Sequence, residues 1–171
     1  MTETTYTVDM LFAGKGAIVR AIYERLLDRE RVGAEGQNLL EPLLLELQPH
    51  QAEVLEARVP FLEGLGFRCQ RFGGREFLVS AIPNLSGGAD LGPHLPALLE
   101  EAAAPDDAWQ GRLLASLACR AAIRRGRAMD AVEMETLLGE LAATQAPAVC
   151  PHGSALILHF SAAFLERQFD W

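Results

Sequence analysis

Apolar and polar positions alternate from Tyr6 to Phe12, a period of two that predicts a strand. The period then changes. Ile18, Val19, Ile22, Tyr23 and Leu26 recur at three- and four-residue intervals, which predicts a helix over 17–29, entered through a turn at Ala13-Gly14-Lys15-Gly16. Residues 30–41 are polar, contain Gly33 and Gly36, and read as a linker. Alternation returns at Leu43, Leu45 and Leu47, a strand over 42–48. Helical spacing follows over 50–65, with Pro60 expected to kink or end part of that helix. Two alternating runs, 67–72 and 76–82, flank Gly73-Gly74 and predict a hairpin. A glycine-containing loop over 83–93 leads to a short helix over 95–103. Asp106 or Asp107 is expected to cap a longer helix that reaches Arg125 and stops at Gly126. Asp130 with Glu133 has the form of a capping box for a helix to about residue 143. A strand over 155–160 and a helix capped by Ser161, ending near Phe169, complete the pattern.

This order lacks the regular strand–helix–strand rhythm of a doubly wound sheet, so the fold class is α+β. The polar stretch 30–41 and the boundary at Pro105 isolate a middle segment. One lobe is therefore expected from both chain ends, residues 1–30 and 105–171, with 31–104 inserted as a second lobe. Half of the 171 residues are hydrophobic and 22% are charged, which excludes a disordered chain. The net charge of −8 argues against a domain that grips nucleic acid unaided, because neutralising phosphates takes Lys and Arg. Cys69, Cys119 and Cys150 are too few and too dispersed for a disulfide framework, so a reduced, cytoplasmic setting is expected. The first residues are polar and show no secretory leader, and no apolar run approaches the roughly 20 residues of a membrane span.

The chemistry-bearing candidate is Cys150-Pro151-His152-Gly153. A Cys and a His two apart can point the same way from a turn, and both bind zinc-like ions. A small buried Cys beside a turn His is the plainer reading of the same residues. Cys119 lies on a helix in Ala118-Cys119-Arg120, at a core-facing position. Ala13-Gly14-Lys15-Gly16 invites a phosphate, but a P-loop needs Ser or Thr after the lysine, and a plain turn fits better. No serine elbow or Gly-x-Gly-x-x-Gly is present. His50, His94 and His159 read as surface or satisfied histidines, and Glu24, among apolar neighbours, as solvated or paired. Leu156, Ile157, Phe164, Phe169 and Trp171 crowd the C-terminal end, either as core or as surface a partner covers.

Leu113 to Ala122 (Leu-Leu-Ala-Ser-Leu-Ala-Cys-Arg-Ala-Ala), Met134 to Leu138 and Cys150-Pro151-His152-Gly153-Ser154 resemble the C-terminal domain of the MutL DNA mismatch-repair family. So do Leu62 to Phe67, Phe72 to Val79 and Ala81-Ile82-Pro83, which extends the resemblance over nearly the whole chain. The resemblance implies a homodimerising lobe built from both chain ends, an inserted external regulatory lobe, and an ATPase domain elsewhere in the protein. Many members are metal-dependent endonucleases that nick one DNA strand. The family's metal-binding Cys and His fall on Cys150 and His152, and its helix cysteine on Cys119. Zinc or manganese is the implied cofactor. Gln37-Asn38-Leu39-Leu40-Glu41-Pro42 resembles the family's sliding-clamp motif, with Gln37, Leu39, Leu40 and Pro42 in matching places. Such a peptide docks extended. The implied partners are a second copy, other mismatch-repair proteins, the clamp, and DNA only weakly or through partners, with no membrane.

The sequence departs from the family at the first strand-to-helix junction. Endonuclease members carry Asp-Gln-His-Ala-x-x-Glu-x-x-x-x-Glu there. Asp9 matches the first residue and Tyr23-Glu24-Arg25-Leu26 the helix end, but the spacing is four residues longer. The Gln, the His and the first Glu have no counterpart, and Val19 stands where that Glu belongs. Phe12, Ile18 and Val19 cannot bind a hard divalent ion. Ser154-Ala155 also replaces the family's Arg-Pro, and the chain ends Phe169-Asp170-Trp171 in place of its basic element. The first expectation is a dimerisation domain with little or no nuclease activity, holding at most one zinc ion through Cys119, Cys150 and His152. The alternative is a nicking endonuclease that recruits Asp9, Glu24 or another acid, with Asp9 and His152 catalytic.

Overall fold

The computed structural model describes residues 14–32, 35–85, 91–122, 130–156 and 167. It holds five helices, α1 Gly14–Val32, α2 Pro49–Leu65, α3 Leu95–Ala102, α4 Trp109–Ala121 and α5 Ala131–Ala143. Three strands, β1 Gly36–Glu46, β2 Arg68–Arg71 and β3 Glu76–Pro83, form an antiparallel sheet in the order β1-β3-β2. The expected strand over 6–12 lies outside the described residues, as do most of the expected last strand and the last helix.

The hairpin forms where the Gly73-Gly74 pair predicts it, with Arg71 opposite Phe77. Arg71 steadies the turn by donating to the Gly73 and Gly74 carbonyls. Helix α2 ends at Gly66, whose φ of 98° is the left-handed region a glycine enters without strain. Phe67 N–H then donates back to the Leu62 carbonyl at 3.0 Å. Helix α5 begins with the expected capping box. Glu133 N–H donates to Asp130 Oδ1 at 2.8 Å, and Asp130 N–H donates to Glu133 Oε2 at 3.2 Å.

Four local expectations need correcting. The turn at 13–16 is absent over its described part, because α1 already begins at Gly14. The linker over 30–41 is mostly element: α1 runs to Val32 and β1 starts at Gly36. Its polar residues adopt strand geometry because β3 supplies the partner, with Gly36 opposite Pro83, Gln37 opposite Ile82 and Asn38 opposite Ala81. Pro60 does not end α2. Leu55 before it and Leu62 and Leu65 after it are all fully buried, and that packing holds the helix through the missing N–H. Helix α4 starts at Trp109, and Asp106 instead accepts from Ala108 N–H in the preceding turn at 2.9 Å.

One large core cluster gathers Val19 and Leu26 of α1, Leu55 and Leu62 of α2, and Phe77 and Val79 of β3. Leu98 and Leu99 of α3 and Leu113 and Leu117 of α4 complete it. Residues of 31–104 and of the flanking segments thus share one core. A second, smaller cluster joins Ala17 and Ala21 of α1, Leu137 and Leu141 of α5, Cys150 and Leu156. It seats the Cys150 turn against α1.

Candidate functional site: the Cys150 turn and strand β1

The Cys150 turn is a closed loop. Cys150 N–H donates to the Ser154 carbonyl at 2.8 Å, and Gly153 N–H to the Cys150 carbonyl at 2.9 Å. Gly153 sits at a φ of +85°, open to glycine without strain. Val149 and Ala155 flank the turn as an antiparallel bridge. Cys150 is buried, while His152 stands exposed on the same turn. Burial is the strongest single influence on the Cys150 thiol and pushes its pKa up. Backbone donors at Ser154 and His152, the Ser154 hydroxyl and the Arg20 charge act the other way and prevail together, so the thiol lies below its ordinary value.

Arg20 is the residue that sequence reasoning missed. It is the buried charged residue of the described structure, 8% exposed. Its Nε donates to the Val149 carbonyl at 2.8 Å, and a terminal nitrogen donates to Glu24 Oε1 at 3.2 Å. Its guanidinium carbon lies 5.5 Å from the Tyr23 ring centroid. Glu24 is therefore a paired carboxylate. The available signal was a lone arginine inside the apolar run Ala17-Ile18-Val19-Arg20-Ala21-Ile22.

The residues expected to bind metal are placed as follows. Cys150 and His152 share one turn. Cys119 of α4 packs against the large core cluster, whereas Cys150 belongs to the small one. Among the described residues, no group of three or more His, Cys, Asp or Glu side chains is arranged to hold a metal ion. Asp9 lies outside the described residues. The described donor set is thus short of the three protein ligands that even an open catalytic zinc site uses.

Strand β1 carries the clamp-motif residues. Its register against β3 shifts between Asn38 and Leu43, so Leu39 to Pro42 lie in an irregularity of an edge strand. Gln37 and Pro42 are exposed, Leu39 packs against the core, and Leu40 is as exposed as a free side chain at 104%. In the described sheet β1 is an edge strand, and an extended backbone with one leucine outward suits recognition by strand-like docking. No helix among the described residues is long and apolar enough to cross a membrane.

Comparison with known proteins identifies the family of the chain. Residues 10–129 match the family described as the MutL C terminal dimerisation domain. The DNA mismatch repair protein MutL of Gemmatimonas aurantiaca is 39% identical over 155 residues, 88% of this chain and 26% of that protein. The MutL of Koribacter versatilis is 34% identical over 156 residues, 88% of this chain and 24% of the relative. The MutL of Methanothrix thermoacetophila is 30% identical over 163 residues, 94% and 29% respectively. The chain spans about a quarter of the length of the curated relatives it matches.

Proposed function

Because the chain belongs to the MutL C-terminal dimerisation-domain family, we propose that it is the homodimerising platform of a DNA mismatch-repair protein, without nuclease activity of its own. The observation that carries this reading is the family match over residues 10–129, joined to identities of 30–39% over most of the chain. Helix α5 adds physical support. Leu137 and Leu141 face inward, while Ala131, Met134, Leu138 and Ala142 leave an exposed apolar stripe beside them. Self-association would cover such a stripe.

The nuclease half of the reading rests on chemistry. Hydrolysing a phosphodiester by metal-activated water needs oxygen or nitrogen ligands grouped around an ion. Along α1, Val19 stands where the family's first Glu belongs, and Glu24 is occupied by Arg20. The Cys150–His152 pair would offer zinc or manganese two donors, with Cys119 as a third only if the packing rearranged. In this reading, 1–30 with 105–171 form the dimerising lobe, and 31–104 is the inserted lobe that presents β1 to a sliding clamp. Asp9 and His152 then have no catalytic role. Other repair proteins bring the DNA.

Light scattering coupled to size exclusion tests the platform: a dimer mass is expected, and Leu138→Glu should shift it to monomer. A monomer at all concentrations would overturn the reading. Manganese-supported nicking of supercoiled plasmid, abolished by Asp9→Asn or His152→Ala, would establish the enzyme instead. Clamp binding, lost on Gln37→Ala without loss of the dimer, tests the role of β1.

A further inference from the structure

The junction between α1 and the Cys150 turn is where the family implies a metal ion, and the described residues there do not fit one. Among the described residues of α1, Gly16, Ala17, Arg20 and Ala21 lie against the turn, with Ile18 packed on the edge of the same apolar cluster. A Cβ at Gly16 would meet Leu156 Cδ2 at 2.3 Å and Cys150 Cβ at 3.8 Å, so the helix backbone lies close against the turn. Ala17 and Ala21 share the small apolar cluster with Cys150 and Leu156. None of these four carries a carboxylate or an imidazole, and the Glu24 carboxylate one turn further along α1 is held by Arg20. The group that reaches across is Arg20, which binds the Val149 carbonyl and the Glu24 carboxylate from a position 8% exposed.

We propose that the described residues at this junction hold no metal ion, and that the Arg20 guanidinium is the cation that ties α1 to the Cys150 turn. A buried cation persists only when acceptors surround it, and here a backbone carbonyl, a carboxylate and the face of Tyr23 do so. Arginine suits the task because its planar fork reaches two acceptors at once and stays charged. The same charge repels a divalent ion from Glu24 and from the Cys150 side of the turn. The junction therefore closes without metal, and its stability does not depend on one. The inference uses family membership but not dimerisation.

The test measures metal content and thermal unfolding of the full chain, with the molecular mass followed on the same samples. The wild-type chain is expected to carry less than about one zinc or manganese per ten chains. Its Tm should shift by under about 1 °C between excess EDTA and excess zinc. Arg20→Met, which keeps the bulk and removes the charge, should lower Tm by roughly 6–12 °C, since it strands a carbonyl and a carboxylate. Zinc should leave that loss unchanged, because the described donors form no metal-holding group. If Arg20→Met does not fold, Glu24→Gln carries the test and should lower Tm by roughly 3–6 °C with no metal dependence. About one zinc per wild-type chain, with a Tm that falls on chelation, would overturn the proposal. So would either variant unfolding like wild type. A monomer mass with the expected metal and Tm results would count against the platform and leave Arg20 in its role.

Discussion

Arg58 of α2 lies over the indole of Trp109, its guanidinium carbon 4.2 Å from the ring centroid. From there it donates to the carbonyls of Ala102, the last residue of α3, at 2.6 Å and of Ala104, just beyond it, at 2.7 Å. Phe61 meets the same indole edge-on, 5.0 Å between centroids. One arginine thus pins the α3–α4 connection to α2. Burial is the main influence on its charge and holds its pKa below the ordinary value. Arg58→Ala is expected to cost about 2–4 kcal/mol, from two charge-assisted bonds and one cation–π contact. Urea unfolding monitored by tryptophan fluorescence measures it. A loss under about 0.5 kcal/mol would show that the connection holds without Arg58.

Two glycines should answer differently to alanine. At Gly36 a Cβ would fall 1.9 Å from the Gly66 carbonyl oxygen and 3.0 Å from its carbon. Both are backbone atoms that close α2, so strand and helix end would have to part. Gly36→Ala should cost at least about 2 kcal/mol and slacken the start of β1. At Gly16 the clash is with Leu156 Cδ2, the tip of a flexible side chain. Gly16→Ala should cost about 1 kcal/mol or less, since alanine also favours the helix. The order of the two Tm values decides the matter.

Asp106 and Arg112 form a two-pronged pair, Oδ1 and Oδ2 accepting at 2.8 and 2.6 Å. The Arg112 hydrogen bonds are the leading cause that holds the Asp106 carboxyl below its ordinary value, with Ala108 N–H adding to them. A folded pKa below the unfolded one means stability that is complete above the unfolded value of 3.8 and is lost as pH falls through the folded one. Stability of the wild type should therefore decline more steeply than that of Asp106→Asn below about pH 4. Parallel slopes in acid titrations of the two proteins would refute the link.

Cys69 presents the opposite sign. Burial, aided by the Glu63 charge, pushes its thiol from 9.0 up to about 11. The unfolded chain then loses this proton before the folded one. The contribution is complete below pH 9 and is lost as pH rises toward 11. Cys69→Ala should show a shallower decline of stability over that window. At pH 7.5, alkylation followed by mass spectrometry should leave Cys69 unmodified until the protein unfolds, because the side chain is buried and protonated.

Local rules sufficed wherever the signal was short in range. The hairpin at Gly73-Gly74, the helix end at Gly66 and the Asp130–Glu133 box each depend on residues within a few positions of one another. Family membership was legible for a related reason: the motifs from Leu62 to Val79 and around Cys119 are contiguous strings. The turn at Cys150 was also legible as a unit, since its closing bonds run between residues 150 and 154.

Long-range contact decided the rest. Gly36, Gln37 and Asn38 have no strand pattern of their own, and their pairing with β3, forty-odd positions away in the chain, makes them a strand. Pro60 has the chemistry of a helix breaker, and only the burial of Leu55, Leu62 and Leu65 overrides it. Arg20 and Val149 are 129 positions apart, so no periodicity could announce that a guanidinium would close on that carbonyl. The sequence displays donors and acceptors along a line. Which of them meet depends on how α1 packs against the Cys150 turn, and that is set by the volume of the side chains between them.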